Sequence, residues 1–245
     1  MGEIHIVLAA EKLTQLWGIP ITNALLTSWI VTFLLAGMAF VVSRNIQLVP
    51  GRVQVLFESL FSFVLQYTAE VLESEKLAKR FFPLLMTIFI FIFAANMVEF
   101  TPGIGSIVVQ HGEEHVPLFR SVNTDINTPL ALAFIVFIII EITGVAVIGF
   151  FKYWKKFLNF RSPLGFFIGT LELMSEIMRL ITFSFRLFGN IFAGEALIVI
   201  AMAFLPYLLP VPLMMYEVFV GFIQAAIFSL LTLFFIKMAI TEPYH

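Results

Sequence analysis

The chain has no cysteine, so disulfides, thiolate catalysis and sulfur-ligated metals are excluded. Charge is scarce as well: Asp, Glu, Lys and Arg make up 12% of the 245 residues, against about 25% in soluble domains. The four histidines are His5, His111, His115 and His245, all outside the long apolar runs. A serine within those runs would therefore lack a histidine base. The pattern Gly-x-x-x-x-Gly-Lys-Ser/Thr is missing, so P-loop nucleotide chemistry is not expected of this chain. A net charge of -2 offers no electrostatic footprint for nucleic acid. The first residues, with Glu3, His5, Glu11 and Lys12, lack the basic region, apolar run and small-residue site of a cleavable signal peptide.

What is present is apolar: 60% of residues are hydrophobic, 30 of them phenylalanine. This composition predicts an all-α polytopic membrane protein, since apolar runs of about 20 residues match the hydrocarbon thickness. The expected first span covers residues 21–43 and the second 81–100. Between them, residues 52–79 carry Val55, Leu56, Leu60, Phe63, Tyr67 and Leu72 at helical spacing among Glu58, Gln66, Glu70, Glu73 and Glu75. That pattern predicts an amphipathic helix on the membrane surface or against a partner. Residues 101–127 read as an external loop with Pro102, Gly103, Gly105, Gly112 and Pro117, followed by a third span over 129–151. A long fourth helix is expected over 163–205 and, after Pro206 and Pro210, a fifth span over 212–240. Five crossings and one surface helix result, the last two helices forming a long tilted hairpin. Some 40 residues of helix reach roughly 60 Å, too long for a perpendicular crossing.

Loop charge predicts orientation. Arg44, Arg52, Lys76, Lys79 and Arg80 lie between spans one and two, and Lys152, Lys155, Lys156 and Arg161 between spans three and four. The loop between spans two and three has Arg120 alone. The basic loops are expected in the cytoplasm, with the amino terminus outside and the carboxyl terminus inside.

The fourth helix carries Glu172, Glu176, Arg179, Arg186, Asn190 and Glu195, and the fifth Glu217, Gln224 and Lys237. A fixed cation in lipid costs roughly 2.5 to 3.5 kcal/mol even on the lenient insertion scale, unless protein or water faces it. Arg186 therefore reads as a working charge. At 100° per residue Glu172, Arg179 and Arg186 share one face, while Glu195 points the opposite way and sits roughly 13 Å along the axis from Arg186. An antiparallel hairpin register sets Arg186 opposite Gln224 and Glu195 opposite Glu217. Two carboxyls in one restricted site can share a proton, which suits an outer relay. Glu172, Glu176 and Arg179 have i,i+3 and i,i+4 spacings, so they form either a helix-end pairing or a second, inner aqueous access. Gly189, Ala193, Gly194 and Ala196 allow another helix to come close. The counter-charge of Arg186 is expected on a partner subunit.

The stretch Phe185-Arg-Leu-Phe-Gly-Asn-Ile-Phe-Ala-Gly-Glu195, with Glu217 and Ile223-Gln-Ala-Ala-Ile-Phe228, resembles subunit a of the rotary F-type ATP synthase. Leu48-Val-Pro-Gly-Arg52, Phe81-Phe-Pro-Leu-Leu85, residues 96–103 and Asp125-Ile-Asn-Thr-Pro-Leu130 extend the resemblance from about residue 40 to the carboxyl end. It implies a stator facing a ring of c subunits, with Arg186 matching the arginine that meets the ring's ion-carrying carboxylate. Gln224, Asn190, Glu195, Glu217 and Asp125 match positions of the ion-access path. Some family members have histidine where this chain has Glu217. The implied partners are the c-ring, the peripheral-stalk b subunits, the remainder of the synthase and membrane lipids, in an energy-transducing membrane such as the bacterial inner membrane. The translocated ion is a proton, with sodium open as the alternative because the rotor site lies on another chain. No cofactor is implied, and nucleotide chemistry would belong to the soluble head.

Blander readings compete. Arg186 fits an internal ion pair, Asn190 and Gln224 fit interhelical hydrogen bonds, and Asp125 fits an N-cap for a helix beginning near Thr128. Glu99 and Glu141 read as packing or subunit contacts. His111 and His115 with Glu113 and Glu114 depart from His-Glu-x-x-His, so no metal site is expected. A secondary transporter or an unrelated proton-coupled channel is the alternative function, but it would need a substrate cavity and repeated halves, and no clear repeat is visible.

Overall fold

A computed structural model describes residues 10–241 apart from 17, 48–49, 99, 101–106, 112–113, 158–162 and 207. Glu99, Glu113, Arg161, His5 and His245 fall outside the described residues. A hairpin of β1 (Lys12–Leu16) and β2 (Ile19–Thr22) leads into α1 (Asn23–Arg44). Thr22 caps α1, its hydroxyl accepting from the Leu25 amide at 3.3 Å. Then come α2 (Arg52–Leu72) and α3 (Glu75–Val98), a hairpin of β3 (Val108–His111) and β4 (Glu114–Pro117), and a 3-10 turn at Val122–Thr124. The chain finishes with α4 (Asn127–Ile148), a short α5 (Phe150–Phe157), α6 (Pro163–Phe204) and α7 (Pro210–Ile240).

Six of these helices, all but α5, are long and apolar enough to cross a membrane, and the chain is an all-α multi-pass membrane protein. By length and composition α2 is among them. Its first half is exposed nearly all round, however, and only its last turns, with Thr68 and Leu72 buried, pack on the bundle.

Three boundaries differ from the sequence expectation. The amphipathic helix ends at Leu72 because Glu73 takes a left-handed φ of 53°, its amide bonding back to the Ala69 and Glu70 carbonyls. Ser74 then accepts from the Leu77 amide at 3.4 Å, and α3 begins at Glu75, ahead of the expected second span. No glycine or proline marks this break, so apolar spacing alone runs through it. Further on, Gly149 at φ 94° stops α4 and permits the turn into α5. The region expected as open loop also carries the β3–β4 hairpin and the buried 3-10 turn.

The core lies where α3, α4, α6 and α7 meet. In lipid there is little hydrophobic gain in joining two apolar helices, so packing and hydrogen bonds must hold them. Phe183 of α6 meets the Phe228 ring of α7 edge-on at 4.6 Å and the Phe235 ring at 5.5 Å. Such pairs contribute about 0.5–1.5 kcal/mol beyond their buried area. Ser229 of α7 donates to the Leu85 carbonyl of α3 at 3.0 Å, next to Pro83, which interrupts the α3 ladder.

Candidate functional site

The unbroken α6 and α7 form the hairpin that carries the site. Around α6, Phe183, Ser184, Leu187, Ile191, Gly194 and Ile198 are buried against the bundle. Met174, Met178, Thr182, Phe185 and Ala193 form a continuous exposed strip on the other side. Arg186 stands on the boundary, half-buried, with Asn190 exposed one turn further on. Among the described residues no carboxylate pairs with Arg186.

Asn190 donates its side-chain amide to Gln224 Oε1 at 2.8 Å. Gln224 is only 2% exposed, and its Nε2 is buried without a hydrogen-bond partner. The expected register set Arg186 opposite Gln224. The hydrogen bond instead joins Gln224 to the residue one turn along, so the glutamine sits between Arg186 and the level of Glu195 and Glu217. Glu217, 6% exposed, comes closer to expectation: its carboxyl rests on Gly194, the neighbour of Glu195, where any Cβ would collide with it. Glycine at 194 is thus required by the approach of a carboxyl. Gly189 has open space beside it and faces the exposed strip.

Glu195 lies on the other side of α6, under the 3-10 turn. Its carboxyl feels the Arg120 guanidinium and the Thr124 hydroxyl, while Oε2 is buried without a hydrogen-bond partner. Arg120 Nε in turn donates to Thr124 Oγ1 at 3.2 Å. Asn123 and Asn96, both fully buried, are joined by an amide hydrogen bond at 2.6 Å, and Asn96 donates to the Gly221 carbonyl at 3.1 Å. Gly221 packs against Asn96, which is how α7 comes near enough for that bond. Asp125 is buried and accepts from the backbone and side-chain amides of Asn127 at 3.2 and 2.8 Å, so its carboxylate is engaged in starting α4. The sequence singled out Glu195, Glu217, Gln224, Asn190 and Asp125. It gave no role to Asn96, Asn123, Thr124 or Arg120, although four polar residues in five, Ser121 to Asp125 at the mouth of a span, were a signal.

At the other end of the hairpin, Arg179 Nη1 donates to Glu176 Oε2 at 2.6 Å, and its guanidinium lies 4.2 Å over the Phe235 ring. Glu172, one turn earlier, is partly exposed. Tyr153 of α5 donates to Glu141 Oε2 at 3.0 Å, and its ring fills the space where Gly144 lacks a side chain. Burial, then the neighbouring Glu141 carboxylate, push the Tyr153 hydroxyl above the ordinary phenol range. Among the described residues no group of three or more His, Asp or Glu side chains could hold a metal ion.

Chemically, the hairpin offers two carboxyls and a cation separated along one axis, with an amide pair between them. Comparison with known families agrees with the motif. Residues 25–237 match the family described as ATP synthase A chain. The chain is 32% identical over 209 residues to ATP synthase subunit a of Campylobacter jejuni, strain 81-176, covering 85% of this chain and 86% of that one. It is 33% identical over 204 residues to ATP synthase subunit a of Helicobacter pylori, strain Shi470, covering 83% of each. This multi-pass membrane chain belongs to the ATP synthase subunit a family, a component of the F-type synthase complex.

Proposed function

We propose that the chain is the ion-translocating stator of a rotary synthase, with two offset half-channels that meet at Arg186 against a ring of c subunits. The observation that carries this reading is the position of Arg186, a permanent cation half-buried at the edge of an exposed apolar helix face, with no carboxylate among the described residues paired with it. A charge so placed in a bilayer requires a counter-charge from outside. A carboxylate on a neighbouring ring supplies it.

In this mechanism Glu195 and Glu217 receive the proton from outside, and the Asn190–Gln224 pair lies between them and the arginine. A rotor carboxylate that reaches Arg186 ionised is attracted to it. The guanidinium favours the charged form, so a protonated rotor group gives up its proton before it passes. Arginine cannot itself be deprotonated there, so it closes the direct route between the two half-channels. The inner half-channel begins near Glu172. Each elementary charge crossing 100 mV supplies about 2.3 kcal/mol, so several translocated ions must be coupled to each nucleotide, which rotation allows.

The orientation follows from the same reading: the Arg120 end is outside, and the end with Lys237, Lys152 and Lys155 is cytoplasmic. The ion pair of Lys237 with Glu73, at 3.1 Å, supports it by joining the ends of α7 and α2 on the basic side. The membrane is an energy-transducing one, with the ring, the peripheral-stalk b subunits and the rest of the synthase as partners.

The test is Arg186→Ala in the whole reconstituted complex. Coupled ATP synthesis and ATP-driven pumping are expected to vanish, with passive proton flux retained or raised. Coupled rotation that survives the substitution would refute the assignment.

A further inference from the structure

Two arginines share one strip of α6. Arg179 lies two turns before Arg186, roughly 10 Å along the axis and nearly in line with it. A carboxylate travelling along the exposed face would meet two cations if both were open.

The bundle treats them differently. Glu176 sits on the flank turned toward the interior and is only 4% exposed. Its Oε2 accepts from Arg179 Nη1 at 2.6 Å, which draws the guanidinium inward onto Phe235. Tyr153 stands beside both residues, and its hydroxyl is engaged by Glu141. Arg179 is therefore neutralised, stacked and turned away from the strip formed by Met174, Met178 and Thr182. Arg186 has no such carboxylate among the described residues.

We propose that Glu176 is a masking residue: it neutralises Arg179 so that passing rotor carboxylates meet one open positive charge, at Arg186. The inference rests on the stator reading above. In this role Glu176 touches neither the ion nor the rotor and acts through Arg179. Unmasked, Arg179 would form a second resting point for the rotor carboxylate and delay each step.

A masking role and a merely structural ion pair differ in symmetry. A structural pair loses comparable stability and activity whichever partner is removed. A mask fails only when the cation is left open, and Arg179→Gln removes the cation, leaving nothing to mask. Purified whole complexes carrying Glu176→Gln, Arg179→Gln or both, reconstituted in vesicles, are assayed for ATP-driven proton pumping. Glu176→Gln is expected to lower turnover roughly tenfold, the effect of an added well about 1.4 kcal/mol deep. Arg179→Gln alone, and the double variant, are expected to stay within about twofold of the parent.

Equal losses in the two single variants would overturn the proposal, as would full activity in Glu176→Gln or no recovery in the double variant. If Glu176→Gln does not assemble, Arg179→Gln decides: near-parental pumping supports masking and a marked loss overturns it. Arg186→Ala in the same series separates the two levels of inference. Coupling that survives it defeats the stator reading, whereas lost coupling together with symmetric Glu176 and Arg179 effects defeats the mask alone.

Discussion

The two ends of the α6–α7 hairpin are both rich in buried polar groups, yet the outer end leaves more of their atoms without a hydrogen-bond partner. At the inner end they are bonded to one another: Glu176 to Arg179, Arg179 to the Phe235 face, Glu141 to Tyr153. Among the described residues, Glu195 Oε2, Gln224 Nε2 and Asn123 Oδ1 at the outer end are buried without hydrogen-bond partners, against Glu141 Oε1 at the inner end, and the Glu217 carboxyl lies against bare backbone at Gly194. A buried polar atom left unbonded costs about 1–3 kcal/mol. A structure that only needed to be stable would bond those atoms. On the proton-relay reading proposed above, donors and acceptors need capacity left over, and the outer end keeps more of it.

Two glycines allow that comparison to be broken directly, because each makes room for a side chain from a neighbouring helix. The larger effect is expected at the outer end. Gly194→Ala drives a Cβ into the Glu217 carboxyl, and displacing such a group by about an ångström is expected to lower coupled ATP synthesis at least about tenfold while the complex still assembles. Vesicle synthesis assays and subunit stoichiometry check both halves of that statement. At the inner end, Gly144→Ala meets the Tyr153 ring and should displace α5. Overpacking of this kind costs about 1–3 kcal/mol, so thermal unfolding should occur at lower temperature while proton pumping per intact complex stays within about twofold of the parent. If Gly144→Ala abolished pumping without loss of stability, the inner cluster would belong to the ion path and the contrast would fail.

The sequence made part of this visible. Apolar runs located α1, α3, α4, α6 and α7, because crossing a bilayer demands about 20 apolar residues whatever the fold. The long α6 was legible for the same reason. The break at Glu73 was not, since a left-handed glutamate has no sequence signature comparable to glycine. Nor was α5, whose docking depends on Tyr153 finding the gap at Gly144 on another helix. Within the site, Arg186, Glu195 and Glu217 were readable as charges in lipid. Asn190 and Gln224 were readable as interhelical hydrogen-bonding groups, but not as each other's partner, because a hairpin register is uncertain by a turn until packing fixes it. The Asn96–Asn123 bond joins residues 27 apart in the chain, through a turn that apolar periodicity cannot register.

The smallest effect is expected outside both clusters. Lys237 pairs with Glu73, whose side chain is 79% exposed, so Lys237→Ala should change stability by less than about 1 kcal/mol and leave coupling intact. A large loss of synthesis in this variant would mean that the basic end takes part in the inner ion path.

The central claim is that the exposed strip of α6 faces a rotor, and the absence of native cysteine makes it directly measurable. Single cysteines at Met178, Thr182 and Ala193 on the exposed strip, and at Leu187 on the buried flank, can each be paired with one cysteine beside the rotor's ion-carrying carboxyl and oxidised in the assembled complex. The expected result is disulfide cross-linking from Met178, Thr182 and Ala193, each abolishing ATP-driven rotation, and none from Leu187. Cross-linking from Leu187 instead, or from none of the strip positions, would contradict the account.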